Sequence, residues 1–455
     1  MKIRPALAAC FALVLGAAPL MAQGQAPNAG AAAATAPASA AAASESSSGA
    51  SSSADTIPPG SVITAANWQS YAQFMPDGMA ALFAGKYFWK MPADVRIEVG
   101  PTLVRPLPAN YLAATERYAA QVKIVDLPSG GLTLSNYHGG LPFPNPAEPN
   151  MGWKILADVW YRYVPHLTVD TYGTACGQTS YGSISCTADE LVTRQLSYNT
   201  DPGVPETLPG SHDNFFAEWI MTLEPENQRY TASLVLSPTD LTQPQQLYAF
   251  IPSLRRPQAV SPNARCTPYP GTDLTTDEYR FGFNGNLTDA TVDSLGVKKI
   301  LALVDMNIPD KAFPDGYDMS LGWALPSWGK WQVRDVYVIS ASKLAAQQAS
   351  YCYGKRVMYV DQAFFSTFWE DLYDKQMKPW KFAGFFLATT DVPGVGPVNS
   401  SNRAVEALWD VQNNHSSILV DPSLNRPFYV NEQAPDEYKD IARYTTVTGL
   451  SQILR

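Results

Sequence analysis

The strongest constraint on this chain is a long series of short, alternating apolar segments separated by turn-formers. Residues 160–164, 166–172, 216–223, 230–236 and 246–251 read as strands, and so do 300–305, 331–340, 355–360, 365–373 and 380–387. Polar links at 225–228 and 374–377 join neighbours as hairpins. Consecutive antiparallel strands on short turns make a meander, and one this long must close, stack on a second sheet or be covered on one face. Trp331, Val333 and Tyr337 alternate with Gln332 and Arg334, which predicts a curved sheet with one buried face. Within 365–373, Phe365, Phe368 and Leu372 also fit helical spacing, so strand and helix compete there. Aromatics at 11% and 37 prolines agree with strands joined by Pro-rich loops.

Ahead of the strands, Trp68, Tyr71, Met75, Met79 and Phe83 recur near the helical period and are interrupted by Pro76, which predicts two short helical pieces. Residues 95–99 alternate as a short strand. Asn110 can cap a helix reaching Ala120, with Tyr111, Ala114 and Tyr118 on one face. The expected class is therefore mainly β with covering α-helices, built on a large curved antiparallel sheet or incomplete barrel. Residues 58–455 form one large domain whose helical part lies at about 64–122.

Export is read from the first residues. Lys2 and Arg4 precede a small and apolar run to Leu20, and Ala22 offers a cleavage position, so residues 1–22 read as a signal peptide. Leu7-Ala8-Ala9-Cys10 imitates a lipoprotein box, but cutting before Cys10 would leave the apolar run on the mature side. Residues 23–57 are nearly all Ala, Ser, Gly and Pro and read as a disordered linker. No later segment is apolar and long enough to span a bilayer, so the mature chain is expected to lack a transmembrane segment. A net charge of -9 argues against nucleic acid as a partner.

After cleavage four cysteines remain, an even count that reads as disulfides in an oxidising compartment. Three pairings exist. Cys176 and Cys186 flank a Gly/Ser-rich stretch and suit a local hairpin staple, which leaves Cys266 with Cys352. A zinc site is the rival reading, and it lacks the close cysteine spacing of metal knuckles.

Little in the chain points to catalysis. It has no Gly-x-Ser-x-Gly elbow, phosphate-binding Gly-Lys-Ser/Thr loop or dinucleotide fingerprint. Ser211, His212 and Asp213 lie together in a polar loop, but adjacency along the chain is not triad geometry. Asp273, Asp277 and Glu278 read as a capping segment before a short helix, ahead of a glycosidase pair or a calcium loop. Adjacent Arg255 and Arg256 point to opposite faces of an extended chain, so one is expected to face inward against an acid such as Asp273 or Asp277. The functional alternative is a contact to a lipid headgroup or an acidic partner. No cofactor and no metal is called for.

An ordered series of motifs runs from residue 100 to the end. It includes Pro108-Ala109-Asn110-Tyr111-Leu112, Gly140-Leu141-Pro142-Phe143-Pro144, Pro252-Ser253-Leu254-Arg255-Arg256, Gly282-Phe283-Asn284-Gly285, Trp331-Gln332-Val333-Arg334-Asp335 and Tyr353-Gly354-Lys355-Arg356-Val357. In these stretches the chain resembles a family of uncharacterised Gram-negative proteins with the LolA-like fold, named for outer-membrane lipoprotein sorting. The resemblance implies an incomplete antiparallel barrel with helices over its mouth, a periplasmic location with outer-membrane association left open, and a hydrophobic ligand such as a lipid or lipoprotein acyl chain. It also implies an outer-membrane protein or exporter as a partner. The expected function is non-enzymatic binding in an apolar hollow between the sheet and the N-terminal helices. Trp331, Tyr337, Tyr248, Arg255 and Arg256 are the candidate binding residues. The alternatives are a structural envelope component with a filled interior and, last, a hydrolase using the His212 region.

Overall fold

The computed structural model describes residues 56–261, 265–280, 282–309, 311, 314–399, 404–421 and 426–454. The expected signal peptide and nearly all of the linker lie outside them. Among the described residues fourteen strands form one sheet. In chain order they are β1 (Leu167–Thr179), β2 (Ile184–Gln195), β3 (Asn214–Glu224), β4 (Ala232–Pro238), β5 (Gln246–Ile251), β6 (Arg256–Val260), β7 (Ala290–Ala302), β8 (Gln332–Lys343), β9 (Lys355–Asp361), β10 (Thr367–Tyr373), β11 (Pro379–Leu387), β12 (Ala404–Asp410), β13 (His415–Asp421) and β14 (Phe428–Val430).

Two meanders share this sheet. One runs β1 to β6 and the other β7 to β13, each strand antiparallel to its predecessor. They meet where β13 pairs with β1, from His415 opposite Thr179 to Val420 opposite Thr174. β14 continues along β1, with Phe428 opposite Asp170. The sheet stays open, with β6 and β7 as its edges. The expected class, mainly β on a large antiparallel sheet that does not close, is the one found. Strands 331–340, 355–360, 365–373 and 380–387 are consecutive and antiparallel as expected, and the competing helix at Phe365 is absent.

Four expectations need correction. Residues 160–164 are no strand: Trp160 and Tyr161 close helix Met151–Tyr161. All but two of that helix's residues are buried, so no polar face reveals its period. The strand expected at 300–305 is β7, which starts at Ala290. Its first half is an edge with Thr291, Asp293, Leu295 and Val297 exposed, so the apolar signal begins only at Ile300. The helix expected to be capped by Asn110 begins at Ala109 behind Pro108, whose fixed φ suits that place, and Asn110 lies inside its first turn. Finally, β8 buries the face that was expected to be solvated, while Asp335 on the other face is exposed. Val336 and Val338 enter one apolar cluster while Ile339 and Ala341 enter another. Gln332 and Arg334, expected on a solvated face, are 3% and 2% exposed.

The N-terminal segment covers one face of the second meander. Its two helical pieces are found at Trp68–Phe74 and Asp77–Phe83. Gly78 docks directly on β10, its N–H donating to Asp371 Oδ1 at 3.1 Å. A Cβ at residue 78 would sit 2.2 Å from that oxygen and 2.4 Å from the Phe382 ring, so only glycine allows the approach. The space where an apolar hollow was expected is packed with aromatic rings: Trp323 stacks on Trp331 at 5.4 Å and touches Trp409 and Phe386 at 5.7 Å each.

Candidate functional site

The opposite face of the second meander is covered by the chain itself. Residues 265–280 and 282–289 lie across β9–β11 as a plug. Its close approach is built in at two glycines: a Cβ on Gly177 would meet the Gly271 carbonyl at 1.9 Å, and one on Gly282 would meet the Glu370 carboxylate at 2.5 Å. Disulfide Cys266–Cys352 ties the plug to the start of β9, and Cys176–Cys186 staples β1 to β2. Both are the pairings expected from the sequence.

Charges fill the interface. Asp277 is paired with Arg265 and accepts from the Tyr351 hydroxyl. Arg356 lies 4.0 Å from Asp277 and 3.6 Å from Glu370, and Lys381 lies 4.0 Å from Glu278. Lys381 also donates to the Asp273 carbonyl at 2.6 Å and to Tyr353 Oη at 2.7 Å. Burial pushes the Asp277 carboxyl up, but Arg265, Lys343 and Arg356 outweigh it and hold the group below the usual carboxylate range. Glu370 is the reverse case: burial dominates, Arg356 offsets it only in part, and the carboxyl is pushed up to about 8. On the other face burial raises Asp371 to about 7.

This arrangement corrects two further expectations. Asp277 and Glu278 do not precede a helix; they sit in a turn, where Glu278 accepts the Thr275 N–H at 2.5 Å. Their cationic partners are Arg265, Arg356 and Lys381. Arg255 and Arg256 are both exposed, because Arg255 takes a left-handed conformation (φ 53°) and turns the chain out of the extended geometry that would have aimed one inward.

The five candidate binding residues are not brought together. Trp331 is buried against Trp323, and Tyr337 is half-buried, stacked on Phe365 at 6.1 Å. Arg255 and Arg256 lie at the β5–β6 edge of the sheet. Tyr248 alone lines a sizeable cleft, of about 640 Å³, between the sheet and the C-terminal helices Ile441–Thr445 and Val447–Leu450. Its floor comes from Asn214, Leu236 and Gln246 on β3–β5, and its wall from Arg443, Val447 and Gln452. Trp219 holds the helices in place, meeting Tyr444 edge-on at 5.1 Å. Asp440 and Thr446 cap the two short helices, accepting the N–H groups of Arg443 and Gly449.

His212 stands at the mouth of this cleft. Its hydrogen bonds do not make a triad: among the described residues none joins the side chains of Ser211, His212 and Asp213, and His212 and Asp213 both have left-handed backbones (φ 50° and 59°).

The architecture and the cleft define a mainly β protein with an open sheet, a plugged interior and a ligand-sized groove at one end. The chain belongs to the family described as Protein of unknown function (DUF1329), whose model matches residues 62–446. The resemblance drawn from its motifs is met by that match. Among solved structures it is similar to a protein from Vibrio parahaemolyticus named as an outer membrane lipoprotein-sorting domain, at 13% identity and a TM-score of 0.43, over 65% of this chain and 99% of that one. It is similar at 10% identity and the same TM-score to a DUF1329 family protein from Desulfovibrio piger, over 65% of this chain and 98% of that one. A LolA superfamily protein from Nitrosomonas europaea follows at 14% identity and a TM-score of 0.35, over 63% and 96%. These likenesses are too remote to carry a function across. No curated protein matches.

Proposed function

We propose that the chain is a non-enzymatic binding protein of the cell envelope that takes a hydrophobic, lipid-like ligand in the cleft between β3–β5 and the C-terminal helices. One observation carries this: the cleft, at about 640 Å³, falls within the size range of small-molecule sites. Leu236, Tyr248 and Val447 give it an apolar wall. The space between sheet and N-terminal helices, where the ligand was first expected, is filled by tryptophans, and the other face by the plug. Two disulfides support an oxidising compartment such as the periplasm. Cleavage after residue 22, a linker to residue 57 and a single large domain beyond it belong to the same proposal, and N-terminal sequencing of exported protein tests the first.

The test is displacement of the neutral dye N-phenyl-1-naphthylamine from the mature chain by medium-chain lipids. Saturable displacement that Val447→Asp abolishes is expected. Absence of any saturable binding overturns the reading. The packed interior then favours a structural envelope component that docks an outer-membrane protein or exporter, detectable by cross-linking in cells.

A further inference from the structure

The cleft is lined by apolar side chains and by hydrogen-bond donors, with the Asp440 carboxylate among them. Leu236 and Tyr248 continue the apolar cluster that includes Leu234, Trp219 and Tyr444. Facing them are Arg443, His212 and Gln452, whose side chains donate to none of the described residues and are all exposed. Arg443 is placed over the Tyr444 ring, 5.2 Å from its centroid, rather than against a carboxylate. Two acids stand near it, Glu190 and Asp440, and Asp440 itself lines the cleft. Asp440 caps the helix through the Arg443 N–H at 3.3 Å, and Glu190 accepts from Tyr438 Oη at 3.0 Å.

His212 is held just as firmly. Its left-handed turn is anchored by the Asn214 side chain, which donates to the Ser211 and His212 carbonyls at 3.0 and 3.3 Å. Thr239 donates to the Asp213 carbonyl from both its N–H and its hydroxyl, at 2.8 and 3.0 Å. A residue in a disfavoured backbone region persists only where its surroundings over-determine it, and these bonds fix the backbone that carries the His212 side chain into the lining of the groove.

We infer that the cleft takes a single-chain amphiphile with an anionic headgroup, the chain against Leu236, Tyr248 and Val447 and the head against Arg443 and His212. This rests on the cleft being the binding site. Guanidinium and imidazole groups donate to carboxylate or phosphate oxygens, and charge-assisted bonds are the stronger kind.

The experiment compares four ten-carbon probes on the mature chain by displacement of N-phenyl-1-naphthylamine: decanoate, decyl phosphate, 1-decanol and decyltrimethylammonium. Decanoate and decyl phosphate are expected to bind roughly tenfold or more tightly than 1-decanol, with the cation weakest. Their relative order distinguishes a carboxylate from a phosphate head. Arg443→Gln should bring both anions down to the affinity that 1-decanol shows on the same variant, and His212→Gln should give a part of that loss. Equal binding of all four probes overturns the headgroup inference and leaves the cleft standing. An anion advantage that survives both substitutions overturns it as well, because the head is then held elsewhere. Failure of every probe to bind overturns the cleft reading, and this inference with it.

Discussion

Beneath the plug, β9–β11 carry Arg356, Glu370 and Lys381 almost wholly withdrawn from water, whereas around the cleft His212, Gln246 and Arg443 remain in contact with it. Both regions of the sheet thus present charged or polar side chains to a covering segment, with different consequences. A buried charge is tolerable only with its partner in place, so the plug's ion pairs define one position for residues 265–289 and penalise any other. Solvated groups at the cleft impose no such demand. The covering helices are short, lie on the sheet through Tyr444 and Leu450, and leave donors free for a ligand. Charge beneath the plug specifies the fold, and charge at the cleft is available for recognition.

That contrast can be broken experimentally. The largest effect is expected from the double variant Cys266→Ala with Cys352→Ala. It opens a loop spanning 86 residues and should cost about 4.6 kcal/mol on loop entropy, read from the urea midpoint. The contrast fails if the plug keeps its protection from amide exchange and stability is unchanged.

Arg356→Met comes next. It leaves Asp277 and Glu370 without a shared cation and strands the Gly282 carbonyl, for a loss of about 3–5 kcal/mol. An unchanged denaturation midpoint would show that the cluster contributes no specificity.

The pH profile sharpens the same point. Glu370 is raised from 4.5 to about 8 and Asp371 from 3.8 to about 7, so the folded chain keeps protons that the unfolded chain releases. Stability should therefore fall as pH rises through that window, from about 5 to about 8, by an amount on the order of a few kcal/mol. Glu370→Gln should flatten much of the slope in thermal melts, and a wild-type melting temperature that rises from pH 5 to pH 8 would contradict it.

Gly78→Ala forces a Cβ into Asp371 and Phe382 and should cost about 1–3 kcal/mol. Exchange protection is expected to be lost first in the N-terminal segment. At the cleft, Arg443→Gln should change stability by less than about 0.5 kcal/mol while altering ligand affinity. A large loss of stability there would erase the distinction between the two regions.

Much of the meander was legible because strand alternation and turn chemistry are local signals. β3–β5 and β8–β11 lie near their expected bounds. β2 went unseen because its sequence, Ile184 through Gln195, is largely polar, and its polar side chains are satisfied by neighbours the sequence does not display. Thr187 bonds Asp189, and Arg194 donates to the Tyr438 carbonyl from 244 residues away. The cleft was legible only at Tyr248 and, for another reason, at His212. Arg443 and Gln452 carry no motif.

By itself the sequence determined the strand-rich class, the two disulfide pairs, the broken N-terminal helix around Pro76 and the family. Each of these depends on residue type and near spacing, through backbone preference, thiol pairing or motif order. The tertiary structure decided that β13 returns to β1, that tryptophans and a charged plug occupy both faces of the second meander, and that the open groove lies under the C-terminal helices. Those outcomes turn on which distant segments bury one another. That choice follows from volume and charge complementarity across hundreds of residues, which no local pattern encodes.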